Sequence, residues 1–134
     1  MFIATLDGNK IIYNKTKIKE NEFSCYTKNL GKLFLTQDNI APTVAVTNIS
    51  LDKTISAQKT IEVTISDSLS GIKEYNGYIN GVWALFEYDF KSKKMRHQLD
   101  DGIVNDGKND LKVVVSDNVG NVTTFETTFT YKKI

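Results

Sequence analysis

The side chains that could do chemistry are few. Cys25 is the only cysteine and His97 the only histidine in the 134 residues. A thiol or hydroxyl nucleophile needs a base within hydrogen-bond reach. Cys25 lies in the alternating run Glu22-Phe23-Ser24-Cys25-Tyr26-Thr27 and reads as a half-buried strand residue. His97 lies in the charged run Lys93-Lys94-Met95-Arg96-His97-Gln98-Leu99, which reads as a solvated strand, so an exposed or packing role is expected of it. A lone cysteine excludes an internal disulfide. A catalytic zinc would want about three histidine, cysteine or carboxylate ligands, which one histidine and one cysteine make unfavourable. The chain carries no glycine-rich phosphate loop, no Gly-x-Ser-x-Gly elbow and no Cys-x-x-Cys pair. Its carboxylates are scattered through turns. The expectation is a chain that is not an enzyme and needs no cofactor, with calcium the one ion worth weighing.

That ion enters through the turns. If the strands run up and down in order, one pole collects Asp38 and Asn39, Asp67 from Ser66-Asp67-Ser68-Leu69-Ser70-Gly71, Asp89, and Asp117, Asn118 and Asn121 from Ser116-Asp117-Asn118-Val119-Gly120-Asn121. Calcium takes about 6–8 oxygen ligands in flexible geometry, which such a cluster could supply, with Asp38, Asp67, Asp117 and Asn118 as the metal candidates. Asp and Asn also cap their own turns through side-chain to backbone hydrogen bonds, and that explains nearly all of them without a metal.

A second set is aromatic. Trp83, Tyr75, Tyr78 and Tyr88 fall in one predicted hairpin. Sugar recognition needs exposed rings flanked by polar groups, so these four are the candidates for carbohydrate or peptidoglycan binding. Tyrosine is also common on solvent faces of antiparallel sheets for cross-strand packing. Trp83 and Phe86 sit three apart, so strict alternation puts them on opposite faces, one in the core and one at the surface.

The elements that must position these groups are strands. Period-2 alternation with frequent turn punctuation dominates the chain. Residues 2–6 and 10–13 flank Asp7-Gly8-Asn9, a hairpin turn; 22–27 and 32–36 follow. The run Gln37-Asp38-Asn39-Ile40-Ala41-Pro42 holds the only proline and marks a boundary, because proline fits just before a first strand. Beyond it, seven strands are expected at 43–49, 60–66, 72–79, 82–88, 94–99, 111–116 and 122–131. Asn80-Gly81 is the strongest hairpin signal, since a type I′ turn needs positive φ at both central positions. No segment shows a capped 3.6-residue stripe. Seven short strands with turns every 8–12 residues or so match an immunoglobulin-like sandwich. The chain therefore reads as all-β: an immunoglobulin-like antiparallel β-sandwich over 39–134, preceded by a small β-rich segment over 1–38. That segment is too short for a sandwich of its own, and reads as the end of a preceding β domain or as extra strands packed on the main one.

Composition is ordinary for a folded domain, with 40% hydrophobic and 25% charged residues. Seventeen basic and 16 acidic side chains give a net charge of +1, which provides no field for nucleic acid or an anionic membrane. No apolar run approaches the roughly 18–20 residues of a membrane helix, so no span is expected in this chain. Met1-Phe2-Ile3-Ala4 does not read as a signal peptide; an exported parent would carry its signal elsewhere.

Four stretches in order resemble a known arrangement: Leu30-Gly31-Lys32-Leu33-Phe34-Leu35 running into Asp38-Asn39-Ile40-Ala41-Pro42; Ser66-Asp67-Ser68-Leu69-Ser70-Gly71-Ile72; Ile79-Asn80-Gly81-Val82-Trp83 with Glu87-Tyr88-Asp89; and 109–121, ending Asp117-Asn118-Val119-Gly120-Asn121. The chain resembles the C-terminal region of bacterial cell-envelope metallopeptidases of the lysostaphin-like (LytM) type, over most of its length. There a β-rich segment leads through an Asp-x-x-x-Pro linker into an immunoglobulin-like domain. The Asp-Asn-x-Gly-Asn loop alone is common among bacterial immunoglobulin-like repeats; the ordered combination is more specific. The family's zinc motifs, His-x-x-x-Asp and His-x-His, do not occur here, so no catalytic residue carries over. The resemblance implies an extracytoplasmic accessory module, in the periplasm or at the cell surface, whose partner is an adjacent domain of the same polypeptide or an envelope component. The alternatives are a carbohydrate-binding module and a calcium-stiffened adhesion-type repeat.

Overall fold

The computed structural model describes residues 1–49, 54–55, 60–99 and 102–132; the sandwich end placed at 134 lies outside the described residues. They contain strands and no helix.

The N-terminal strands are β1 (Phe2–Asp7), β2 (Lys10–Tyr13), β3 (Thr16–Lys19), β4 (Glu22–Cys25) and β5 (Lys32–Thr36). β1 and β2 form the expected hairpin, with Gly8 at φ 60°, and β5 pairs along the other edge of β1 in a sheet ordered β2-β1-β5. β3 and β4 make a separate two-stranded ribbon. β3 was not legible in the sequence because Thr16-Lys17-Ile18-Lys19 offers one apolar residue, and even that one, Ile18, is exposed. The buried spine of this region is Phe2, Ala4 and Thr5, held by Asn14, whose side-chain amide donates to Ile3 O and Thr5 Oγ1.

Beyond Pro42 run β6 (Thr43–Val46), β7 (Thr54–Ile55), β8 (Thr60–Ser66), β9 (Ile72–Ile79), β10 (Val82–Ala84), β11 (Glu87–Asp89), β12 (Lys94–Gln98), β13 (Gly107–Asp117) and β14 (Val122–Tyr131). They build two sheets, ordered β10-β9-β13-β14-β7 and β11-β12-β8-β6. Pairing is antiparallel except between β14 and the short β7, which is parallel. Alternation points Ile61, Val63, Ile65 and Met95 of one sheet at Ile79, Leu111, Val113, Val115 and Phe129 of the other, all fully buried. Side chains of this size are each worth about 1.5–3 kcal/mol when removed from water. Asn80 (φ 53°) and Gly81 (φ 79°) close the β9–β10 hairpin with the positive φ pair that a type I′ turn requires.

Two expectations are corrected here. The strand expected at 82–88 is two strands in different sheets: β10 pairs with β9, then the chain crosses the sandwich at Leu85-Phe86 and β11 pairs with β12. The crossing is driven by Phe86, which is buried with its ring over Gly77, where a Cβ would lie 2.1 Å from it. The strand at 94–99 is not solvated throughout: Met95 and His97 point into the core. The imidazole lies 5.2 Å from the Phe86 ring, and Nδ1 donates to Leu85 O at 2.8 Å. His97 thus has a packing role.

Candidate functional site

The acidic pole is built by three turns that the sheets bring to one end. The linker after β5 supplies Asp38, the β8–β9 turn supplies Asp67, and the β13–β14 turn supplies Asp117. One carboxylate oxygen from each lies within 4.8 Å of the others. Asp89 does not join them; it caps its own turn, accepting from Lys91 N and Ser92 Oγ. The up-and-down scheme that grouped it with the others fails because β11 sits at the edge of the second sheet.

Each carboxylate is tied to backbone. Asp38 is buried, and its Oδ2 accepts Ser70 Oγ at 2.6 Å and Ser70 N at 3.0 Å, while Oδ1 accepts Ile40 N. Asp117, also buried, accepts Val119 N and Asn121 N on Oδ1 and the Asn121 side-chain amide on Oδ2. Asp67 accepts Gly71 N, Leu69 N and Ser70 Oγ on Oδ2. Its Oδ1 is enclosed and has no hydrogen-bond partner among the described residues. Asn118 donates its side-chain amide to Ser70 O and Gly71 O, stitching two turns together. Asn121 does the same for the linker, donating to Asp38 O. Local capping therefore accounts for one oxygen of Asp38, both of Asp117 and one of Asp67, while the other oxygen of Asp38 is taken by Ser70 across 32 residues.

The electrostatics separate the three. Burial raises the Asp67 carboxyl above its ordinary value, opposed by the Gly71 amide and reinforced by the charges of Asp38 and Asp117. Burial also pushes Asp38 upward, but hydrogen bonds from Ser70 and Ile40 outweigh it and hold Asp38 low. A raised Asp67 beside a lowered Asp38 is the pattern of like charges sharing a site, where ionising one carboxyl disfavours ionising the other. Tyr13 of β2 completes the surroundings: burial, then the Asp117 charge, raises its hydroxyl. The N-terminal sheet thus reaches the pole both through its linker and through Tyr13.

The aromatic candidates divide in two. Tyr75 and Tyr88 come from opposite sheets, their rings 5.0 Å apart, and both pack against the core. They close the sandwich edge. Trp83 and Tyr78 are cross-strand partners on the outer face of the five-stranded sheet, and Trp83 is 54% exposed. Cys25 is half-buried in β4. Asn109, not among the candidate site residues, is a buried amide at the far pole that accepts from Asn105 N and from Asn80 and donates to Asn105 O and Gly107 O. Its place in an otherwise alternating polar-apolar run, at a position facing inward, was the available signal.

No protein-family model matches this chain, and no curated protein matches it in sequence. Among solved structures, the chain is similar to the fibronectin(III)-like modules of Clostridium thermocellum CbhA, at 13% identity and a TM-score of 0.52, covering 98% of this chain and 77% of that one. At that identity the likeness concerns fold alone, and it agrees with the immunoglobulin-like sandwich read from the strands.

Proposed function

We propose that this chain is a non-catalytic accessory module of a larger cell-envelope protein of the metallopeptidase type, holding a neighbouring domain at a set position outside the cytoplasm. The carrying observation is where apolar surface remains exposed. Among the described residues, eight of the fourteen exposed large hydrophobics, Ile11, Ile18, Leu30, Leu33 and Leu35 among them, fall in the first 38 residues. A three-stranded sheet with apolar residues on both faces is a surface for a further β layer. The same segment is clamped to the sandwich through Asp38, so whatever covers it is held in fixed register with the sandwich. The ordered resemblance at Asp38–Pro42, 66–72 and 109–121 supports the partner being a LytM-type peptidase domain of the same polypeptide. The boundary near residue 38 divides the part that meets the partner from the part that braces it.

The test is the full reading frame that encodes this chain, expressed whole and without residues 39–134. An upstream domain bearing His-x-x-x-Asp and His-x-His is expected, and removing 39–134 is expected to lower the melting temperature of that domain by several degrees. A frame without such a domain, or a peptidase indifferent to the deletion, would overturn the proposal.

A second reading is a calcium-stiffened joint, favoured by the enclosed Asp67 Oδ1 beside two more carboxylates. There, Asp38, Asp67 and Asp117 would hold the ion, and its charge would relieve their repulsion and lock the linker. Hydrogen bonds within the protein compete with it on every other oxygen.

A further inference from the structure

We propose that the outer face of the five-stranded sheet is a binding platform for an uncharged polysaccharide chain, with Trp83 as its stacking ring. This goes beyond a bracing role and does not depend on it. Four side chains form one cross-strand ladder over β10, β9, β13 and β14: Trp83 opposite Tyr78, Tyr78 opposite Lys112, and Lys112 opposite Glu126. At about 4.8 Å per strand the ladder spans roughly 14 Å, long enough to meet more than one sugar ring. Beside it lies an open depression of about 770 Å³ lined by Tyr78, Asp110, Lys112, Glu126 and Thr128.

Three features fit a sugar. The indole is exposed yet fixed, because its Nε1 donates to Asn76 Oδ1 at 3.1 Å. A ring already held in place loses little freedom on stacking, and its flat apolar face matches the C–H face of a pyranose. The polar groups around it are uncommitted: among the described residues, the side chains of Asp110, Lys112 and Glu126 make no hydrogen bond or salt bridge within the protein. Hydroxyl groups both donate and accept, and this set offers the ammonium donors of Lys112 and the carboxylate acceptors of Glu126 and Asp110. The face mixes both signs within one ladder, so it presents no basic field to draw in a polyanion. The opposite aromatic pair, Tyr75 and Tyr88, lies inside the sandwich edge and takes no part.

The experiment is affinity electrophoresis and tryptophan fluorescence titration of the full chain against hydroxyethylcellulose, which offers hydroxyls alone, and chitohexaose, which adds acetamido groups. Heparin and polyglutamate serve as charged controls. Binding to at least one neutral probe is expected, and whichever probe binds identifies the sugar type. Trp83→Ala should weaken it at least tenfold, with Asn76→Ala and Glu126→Gln each weakening it several-fold while the melting temperature stays within about a degree. Tyr75→Ala should lower the melting temperature and, while folded, leave binding intact. If Trp83→Ala does not fold, Asn76→Ala and Glu126→Gln decide. No binding to either neutral probe, binding only to heparin or polyglutamate, or binding indifferent to the platform variants would overturn the proposal.

Discussion

Asp38 and Ser70, 32 residues apart, are joined twice: one carboxylate oxygen accepts both the amide and the hydroxyl of the serine, at 3.0 and 2.6 Å. The pair fastens the linker to the β8–β9 turn, and with it the N-terminal sheets to the sandwich. Asp38→Ala strands the Ser70 amide and hydroxyl in a buried site and takes the acceptor from the Ile40 amide, and a loss of about 2–3 kcal/mol is expected from urea unfolding. Amide exchange in β1 and β5 should rise more than in β13. Uniform acceleration across the chain would show that Asp38 supports the whole fold rather than the joint.

Asp67 and Asp38 should act on stability in opposite directions with pH. The folded carboxyl of Asp67 is raised, so its contribution is fully present below its unfolded value near about pH 4 and is lost as pH rises through the folded value. That of Asp38 is lowered, so its contribution is present above about pH 4 and is lost as pH falls through the folded value. Asp67→Asn keeps an acceptor for Gly71 N and removes the charge. Without calcium the variant should melt higher than the parent at pH 7, with the difference shrinking toward acid. A variant that melts lower at pH 7 would contradict the assigned direction.

Calcium separates capping from metal binding at the same residue. A ligand that binds only the native state raises the melting temperature with its concentration. If Asp38, Asp67 and Asp117 hold the ion, millimolar calcium lifts the parent's melting temperature, chelator reverses it, and Asp67→Asn abolishes the lift. Melting curves that ignore calcium would leave the turn hydrogen bonds as the full role of the three aspartates.

Gly77 should not tolerate a methyl group. A Cβ there would lie 2.1 Å from the Phe86 ring, and forcing such an overlap costs about 1–3 kcal/mol. Phe86→Ala removes the obstacle at a cost of about 3–5 kcal/mol from the cavity it leaves. Combining Gly77→Ala with Phe86→Ala should then cost less than the two single losses added, measured by a double-mutant cycle in urea.

Asn109→Leu should destabilise by about 1–3 kcal/mol, because it removes the acceptor of the Asn105 amide and the Asn80 side chain and the two donations of the buried Asn109 amide. Asn39→Ala, at an exposed position, should stay within about 0.5 kcal/mol. Equal effects at the two positions would deny Asn109 its role as the far-pole anchor.

Local pattern alone determined most of the strands. Alternation in 60–66, 72–79 and 122–131 matches the observed ends, because each of these strands has one buried face and a polar one. Asn80-Gly81 specified its own turn through positive φ. The carboxylates at Asp38, Asp67 and Asp117 were legible as one pole because each ends or precedes a strand of known polarity. What tertiary structure decided depends on contacts between residues distant in sequence. Val82 to Tyr88 is apolar at every position but Glu87 and reads as one strand, and the fit of Phe86 over Gly77 sends its two halves to different sheets. That crossing removed Asp89 from the acidic pole, buried His97 beneath Phe86, and set Tyr88 inward against Tyr75 while Trp83 and Tyr78 stayed outside. A period of two assigns alternate residues to opposite faces; which face meets the core is settled by the sheet packed on it.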